Sequence, residues 1–530
     1  MRKSHLLFLI IPTAFVLSTA LKSGPSEQEK YAQTITASDL RTHLNILASD
    51  EYEGRETGER GQKMAAEYIA NFYKTIGIPP QQDGSWFQYV NLVKISGGSS
   101  KFDCSGTNTS DIHFDASEDY YYTSRTPSVS VSCKKVLFAG FGIDDSKYSD
   151  FTGDSADYSG QVVMILDGEP MNNGVYAITG DKSPGMWTKQ RRAKMNAAKA
   201  RNISVLLVVP VDYDKSKEAA QHNIEGYSLQ LDEPYVTEEQ QTTVIYISPS
   251  MANQILSAGG NVNTVEQLRT SINSSGKTTA LTVSSTCMIS ITRKEEKIQS
   301  ENVLGFVEGT DLKQEVIVVT AHYDHLGKHD GVVYNGADDD GSGTVAVMEI
   351  AEAFMKAKQD GRGPRRSMLF MNVTGEEKGL LGSSWYTKHP VYPLKNTMCD
   401  LNIDMIGRAD EEHAKDSNFV YVIGSDKISS DLKKVIEASN KRYTKLKLDY
   451  RFDDDKDPNM FYYRSDHYNF AKNGIPVAFF FNGVHADYHK ETDEVSRINF
   501  NLMERRTRLV FYAAWDLANK TKELKPNKKK

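Results

Sequence analysis

Histidine and carboxylate side chains gather directly after four short apolar runs in this 530-residue chain. His322, Asp324 and His325 follow the β-branched run 316–320, and the acid-rich loop Asn335-Gly-Ala-Asp-Asp-Asp-Gly-Ser-Gly343 comes next. Glu376 and Glu377 follow the run 367–374, Asp404 follows 401–403, and His485, Asp487 and His489 follow 475–481. Imidazole and carboxylate together are the ligand set of a catalytic zinc site, with water completing the shell. Each signal also has a plainer reading. Consecutive acids such as Asp338-Asp339-Asp340 suit a solvated turn or a helix start favoured by the dipole, and Glu376-Glu377 has the same helix-start reading. Asp404 is harder to set aside, because an acid at the end of an apolar strand is costly to bury without a cation or a donor.

Such side chains need elements that hold them. Short apolar stretches without alternation predict strands covered on both faces, and open α/β sheets collect ligands at the carboxyl ends of their strands. Beyond Gly343, the apolar residues Val345, Val347, Met348, Ala351 and Phe354 predict a helix, so the acid loop joins strand to helix. Residues 299–520 alternate strands with helices, among them the amphipathic 431–438 and 502–518. This implies an α/β fold, a mainly parallel twisted sheet flanked by helices. Upstream, Leu40, Leu44 and Leu47 share a helical face with Ser38 as the expected cap, and 64–76 repeats the spacing. From about 95 to 295 the pattern changes to short alternating runs separated by Gly, Ser and Asp. There 136–143, 162–166 and 205–209 read as strands and 190–200 as a helix, and none carries a cluster with ligand spacing. The expected organisation is therefore N-terminal helices over 21–95 belonging to the catalytic domain, an inserted β-rich domain over 96–295, the rest of the catalytic domain over 296–520, and a basic tail over 521–530.

The balance of 63 basic and 70 acidic residues gives a net charge of −7 with no basic face outside the C-terminal lysines, which argues against nucleic acid as a partner. Arg2 and Lys3, the apolar run 6–17 and then Ser18-Thr19-Ala20 read as a secretory signal over 1–20. The expectation is a secreted or periplasmic protein with no stable membrane span after signal removal. An uncleaved anchor is the other reading, and the run is short for one. The four cysteines, Cys104, Cys133, Cys287 and Cys399, form no Cys-x-x-Cys motif. A disulfide between Cys104 and Cys133 and free, buried thiols are both open.

The loop 47–55 (Leu-Ala-Ser-Asp-Glu-Tyr-Glu-Gly-Arg) together with the motifs from 299 to 497, in their order, resembles the co-catalytic di-zinc aminopeptidases, metallopeptidase family 28. The middle segment looks like the protease-associated domain that many members carry. The resemblance implies a zinc-exopeptidase fold and a metallo-aminopeptidase that hydrolyses N-terminal residues of peptides with a metal-activated bridging water. It places the first-metal ligands on His322 and Asp404, the second-metal ligands on Glu377 and His489, the bridging carboxylate on Asp339, the general base on Glu376, and the acid that orients the first histidine on Asp324. It also implies a cis peptide between Asp339 and Asp340. Two imidazoles and three carboxylates carry about −3, which two divalent ions would more than offset, and paired ions about 3.5–4 Å apart are a known hydrolytic arrangement. Two Zn²⁺ per chain are expected.

Two other functions share the architecture: a mono-zinc cyclotransferase of the glutaminyl cyclase type, and a receptor-like binding ectodomain without chemistry. The complete ligand set speaks against the second. Asp453-Asp454-Asp455 with Asp457 reads as a solvated loop rather than a calcium site, and Ser465-Asp466-His467 as polar support or pocket lining, since three adjacent residues cannot face one another as a triad.

Overall fold

The computed structural model describes residues 26–81, 83–106, 109–151, 154–233, 242–521 and 524–528; the expected signal segment and part of the basic tail lie outside them. Among the described residues no helix is long and apolar enough to cross a membrane.

The four apolar runs become four neighbouring strands. Arg366–Val373, Leu312–His322, Thr397–Ile403 and Val477–Phe481 lie side by side in that order and run parallel. Their carboxyl ends therefore meet on one edge. Three of the four are buried along their whole length, which is why their sequences lack polar alternation. Ile317, Val319 and Ala321 pack into one core with the helices Ala37–Leu47, Arg60–Thr75, Gly343–Gln359 and Phe500–Asn519. Val316 and Val318 face the opposite core, with Tyr386 and Phe470. The sheet has eleven strands and is mixed, because Thr286–Val307 joins Arg366–Val373 antiparallel on one side and Phe419–Ile423 joins Val477–Phe481 antiparallel on the other.

The first of these helices starts earlier than its sequence suggests. Its cap is Thr36, whose hydroxyl accepts from the Asp39 amide at 3.1 Å, and Ser38 already lies in the first turn. The Asx/Ser/Thr acceptor belongs two or three residues before the amide it satisfies, and Thr36 meets that spacing for Asp39.

Two long strands, Phe87–Gly106 and Thr286–Val307, pair antiparallel and run from the large sheet into a second core. Positions 95 and 296 fall inside this ribbon. The second core holds a six-stranded sheet ordered Ala280–Val283, Val136–Ala139, Val162–Leu166, Val205–Val209, Thr243–Ile247, Tyr120–Tyr121, parallel through its middle. Helices Pro249–Ala258 and Val265–Ser275 pack on it. Their start signals stand in the sequence: Ser248 caps a helix with Pro249 at its first position, and Thr264 with Gln267 forms a capping box. Cys104 and Cys133 do not face each other, because their strands flank Thr286–Val307 on opposite sides and Cys287 stands between them.

The turn Asp50–Arg55 locks the N-terminal helices onto the strand ends. Gly54 has φ 66°, and a Cβ there would fall 2.4 Å from the Gly327 carbonyl oxygen and 2.5 Å from that of Tyr334, so only glycine fits. The buried Arg55 guanidinium donates to the carbonyls of Leu47 (2.6 Å), Tyr323 (2.8 Å), Asn335 (2.8 Å) and Gly336 (3.0 Å). One side chain thus joins a helix end, the strand end beside His322 and the acid loop. A lysine has no planar fork to reach four acceptors. Arg55→Lys is expected to lower stability by about 2–4 kcal/mol, the scale of leaving buried carbonyls unsatisfied, read as a lower urea midpoint at unchanged slope; an unchanged midpoint would remove Arg55 from this role.

Candidate metal centre

The four strand ends deliver one cluster. His322 Nε2 lies 3.3 Å from Asp339 Oδ1 and 3.8 Å from Asp404 Oδ2. His489 Nε2 lies 3.1 Å from Asp339 Oδ2 and 3.2 Å from Glu377 Oε2. Asp339 therefore turns one oxygen to each side. Two groups with ligand atoms within 4.8 Å of one another share it: His322, Asp339 and Asp404, and His325, Asp339 and Glu377. Glu376 Oε2 stands beside the first group, 3.9 Å from His322 Nε2.

The loop that carries Asp339 is fixed by its neighbours. The Asp339–Asp340 peptide is cis. The Asp493 carboxylate accepts the amides of Asp338 at 3.0 Å and Asp339 at 3.1 Å. Asp340 turns away from the cluster and accepts the amides of His322 (3.2 Å), Gly343 (2.8 Å) and Met405 (3.1 Å), so it ties strand, loop and helix together. Asp338 accepts the Gly407 amide at 2.6 Å and lies 3.3 Å from His485 Nε2. Of three consecutive acids, one faces the cluster and two build the loop.

Asp324 meets His322 differently from a simple carboxylate–imidazole pair. His322 Nδ1 hydrogen-bonds the main-chain carbonyl of Asp324 at 3.0 Å, whereas the carboxylate stands 3.8 Å from that nitrogen. This carboxylate accepts the Thr57 hydroxyl at 2.7 Å and the Glu376 amide at 3.2 Å, so it also anchors the paired glutamates. Ser465 Oγ donates to Asp404 Oδ2 at 2.8 Å and accepts from Asn402 at 2.9 Å. Asp466 accepts from Ser383, and His467 stacks on Phe479, so the three adjacent residues turn to different partners. In the acidic loop, Asp453 accepts the Gly424 amide and Asp455 pairs with Lys427 at 2.6 Å.

One residue at the centre lies outside the ligand set that the resemblance implied. His325 Nδ1 is 3.0 Å from Glu377 Oε1 and 3.9 Å from Asp339 Oδ2, with the ring fully buried. The His322-x-x-His325 spacing was its signal. Asp493 and Thr57 gave none, because their contacts cross the fold.

Charge in the cluster is held by pairing. Burial opposes ionisation of Asp339, yet His322 and His489 keep it well below the usual carboxylate range. Against burial, His325 and His489 bring Glu377 down to about 2. Burial pushes Asp404 up to about 6 and Glu376 well above its ordinary value, with neighbouring carboxylates adding to the effect. Burial lowers His489, but Asp339 and Glu377 raise it to about 10. Even so, both ring nitrogens of His325, Asp339 Oδ2, Glu377 Oε1 and His489 Nε2 lack a hydrogen bond of proper geometry. Buried polar atoms are rarely left so, and divalent cations would satisfy Asp339 Oδ2, Glu377 Oε1 and His489 Nε2. The donor set fits zinc. A cleft opens beside the cluster, lined by His322, Glu376 and Asp404 together with Phe461, Phe479, Phe481 and Tyr488.

Residues 302–514 match the sequence profile of peptidase family M28. The chain carries a peptidase family M28 domain. This M28 domain holds every residue of the cluster. Aminopeptidase YwaD of Bacillus subtilis (strain 168) is 28% identical over 249 residues, 43% of this chain and 47% of the relative. A probable leucine aminopeptidase of Trichophyton verrucosum (strain HKI 0517) is 25% identical over 229 residues, 42% of this chain and 57% of the relative. The chain thus spans about half the length of these curated relatives. A solved aminopeptidase from Aneurinibacillus sp. strain AM-1 shares the fold with a TM-score of 0.54 at 15% identity, over 95% of this chain and 98% of that one.

Thr57→Val keeps shape but leaves the buried Asp324 carboxylate without its hydroxyl donor. A loss of about 1–3 kcal/mol is expected, measured by urea unfolding of the purified variant; a change under about 0.5 kcal/mol would mean that this bond does not hold the site.

Proposed function

We propose that this chain is a zinc-dependent exopeptidase, an aminopeptidase that removes N-terminal residues from peptides and holds two zinc ions. The observation that carries the reading is Asp339, which turns one carboxylate oxygen to each of two histidine–carboxylate groups. A mono-zinc cyclotransferase has no use for the second group, and a binding ectodomain has no use for either. The relatives above, both named as aminopeptidases, support the same reading.

In this mechanism His322 and Asp404 hold the first ion, Glu377 and His489 hold the second, and Asp339 is shared. Bound zinc supplies Lewis acidity, polarising the scissile carbonyl and lowering the pKa of water. The chain's own residues do the rest. Glu376 stands beside the first group but outside both, so its carboxylate is free to take a proton from the attacking water and return it to the leaving amine. Asp324 fixes that carboxylate's backbone through the Glu376 amide. The aromatic side chains that line the cleft offer an apolar surface to the substrate side chain. Residues 1–20 would direct export, which N-terminal sequencing of the mature protein checks.

Three outcomes follow from these assignments. Metal analysis of active protein is expected to give two zinc ions per chain, and a strong chelator to abolish activity; one ion in active protein points to the cyclotransferase. A free N-terminal amine should be required, so aminoacyl substrates are cleaved and N-acetylated ones are not; cleavage of both would end the exopeptidase reading. Glu376→Gln should lower kcat by roughly 10²-fold or more, the scale of a lost general base, with both ions retained, whereas Glu377→Gln should lose zinc together with activity. Metal loss in the Glu376 variant alone would exchange the two roles.

A further inference from the structure

Three of the four cysteines meet in the second core, on elements separate from the histidine–carboxylate cluster. Cys104 in Phe87–Gly106 lies directly opposite Cys287 in Thr286–Val307, and Cys287 lies directly opposite Cys133 in Val129–Cys133. Residues directly opposite in antiparallel strands project to the same face with Cβ atoms about 4.5–5.5 Å apart, so the three thiols form a row with Cys287 in the middle. Cys104 Sγ is 3.0 Å from Cys287 Sγ. Cys104 and Cys287 are buried and Cys133 is half-buried, while Cys399 belongs to the other core. Cys104 and Cys133 stand two strand spacings apart, about 9–10 Å, beyond the roughly 7 Å that a disulfide spans between Cα atoms.

We propose that Cys287 is the shared sulfur of an interchanging disulfide, bonded either to Cys104 or to Cys133. A disulfide-bearing oxidant supplies the first step: Cys104 and Cys287 give up two protons and two electrons, their Sγ–Sγ bond forms, and the oxidant's own disulfide is reduced to two thiols. The second step needs no oxidant. The Cys133 thiolate attacks Cys287 Sγ, the Cys133–Cys287 bond forms as the Cys104–Cys287 bond breaks, and Cys104 leaves as a thiolate that takes the proton Cys133 gave up. Exchange at sulfur requires the attacking, central and leaving atoms close to a line, and three adjacent strands in register supply that row. Cys133, half-buried and directly opposite Cys287, attacks as its thiolate, the nucleophilic form.

Placement gives the exchange a consequence. A Cys104–Cys287 bond clips the two-strand ribbon where the six-stranded sheet begins and ends, whereas a Cys133–Cys287 bond releases Phe87–Gly106 and holds Val129–Cys133 instead. The test oxidises the full chain with oxidised glutathione, blocks free thiols with N-ethylmaleimide, and maps cross-linked peptides by mass spectrometry without reduction. The expected result is one disulfide per chain in two forms, Cys104–Cys287 and Cys133–Cys287, with two blocked thiols among the four cysteines. Cys133→Ala should leave only the first form and Cys104→Ala only the second, each still taking up one disulfide. No disulfide, a Cys104–Cys133 bond, glutathione left on Cys133, or a single form in the unmodified sequence would each overturn the proposal, and all four are read without any variant.

Discussion

Burying many carboxylates in one place is the constraint on which the rest of this structure depends. Asp324, Asp338, Asp339, Asp340, Asp404, Asp466 and Asp493 are all buried around the same strand ends, and an ionised carboxylate taken out of water costs several kcal/mol unless it is paired. The chain meets the cost in two ways. Asp340 and Asp493 are filled with backbone amides, three for the first and two for the second. Asp339 and Glu377 face only imidazoles, with an oxygen of each left unsatisfied. The first kind builds the loop, and the second kind is arranged for cations.

This division explains what could be read in the sequence. Strands buried on both faces must be continuously apolar, so 316–320, 367–374, 401–403 and 475–481 stand out, and the polar residue that ends each run marks the edge where the ligands gather. The antiparallel flanks carry no such mark: Phe419–Ile423 is as continuously buried as the parallel strands, and an apolar run does not show its direction. Asp338, Asp339 and Asp340 are chemically identical in the sequence, and only the amides around them distinguish their jobs. His325 was visible as a residue that could ligate, but its contact with Glu377 depends on how the Arg366–Val373 strand lies beside Leu312–His322.

Long-range register is equally silent in local sequence. Cys104 and Cys133 are near in the chain and look like partners, yet each pairs across to Cys287, whose strand returns only after the second sheet is complete. Some short-range signals in the sequence went unread, although each rests on a single local bond. Ser248-Pro249 and Thr264-x-x-Gln267 mark helix starts because a cap satisfies an amide two or three residues away, and nothing distant is needed to form it.

The second core is joined to the site edge by more than the ribbon. Tyr227 belongs to Tyr227–Leu231, a strand that leaves the second core to pair with Phe87–Gly106 at the edge of the large sheet. Its hydroxyl donates to Glu56 Oε1 at 2.6 Å, and Lys378 donates to the same oxygen at 2.8 Å. Lys378 directly follows Glu376 and Glu377, and Glu56 bridges by its backbone to His325. Lys94 covers the Tyr227 ring at 4.0 Å and closes the group from the other side. The turn that carries the paired glutamates and the strand end that carries His325 thus rest on one carboxylate, and a residue from the far end of the inserted segment helps to hold it. Tyr227 thus ties the segment between the two halves of the sheet to the elements that support the site.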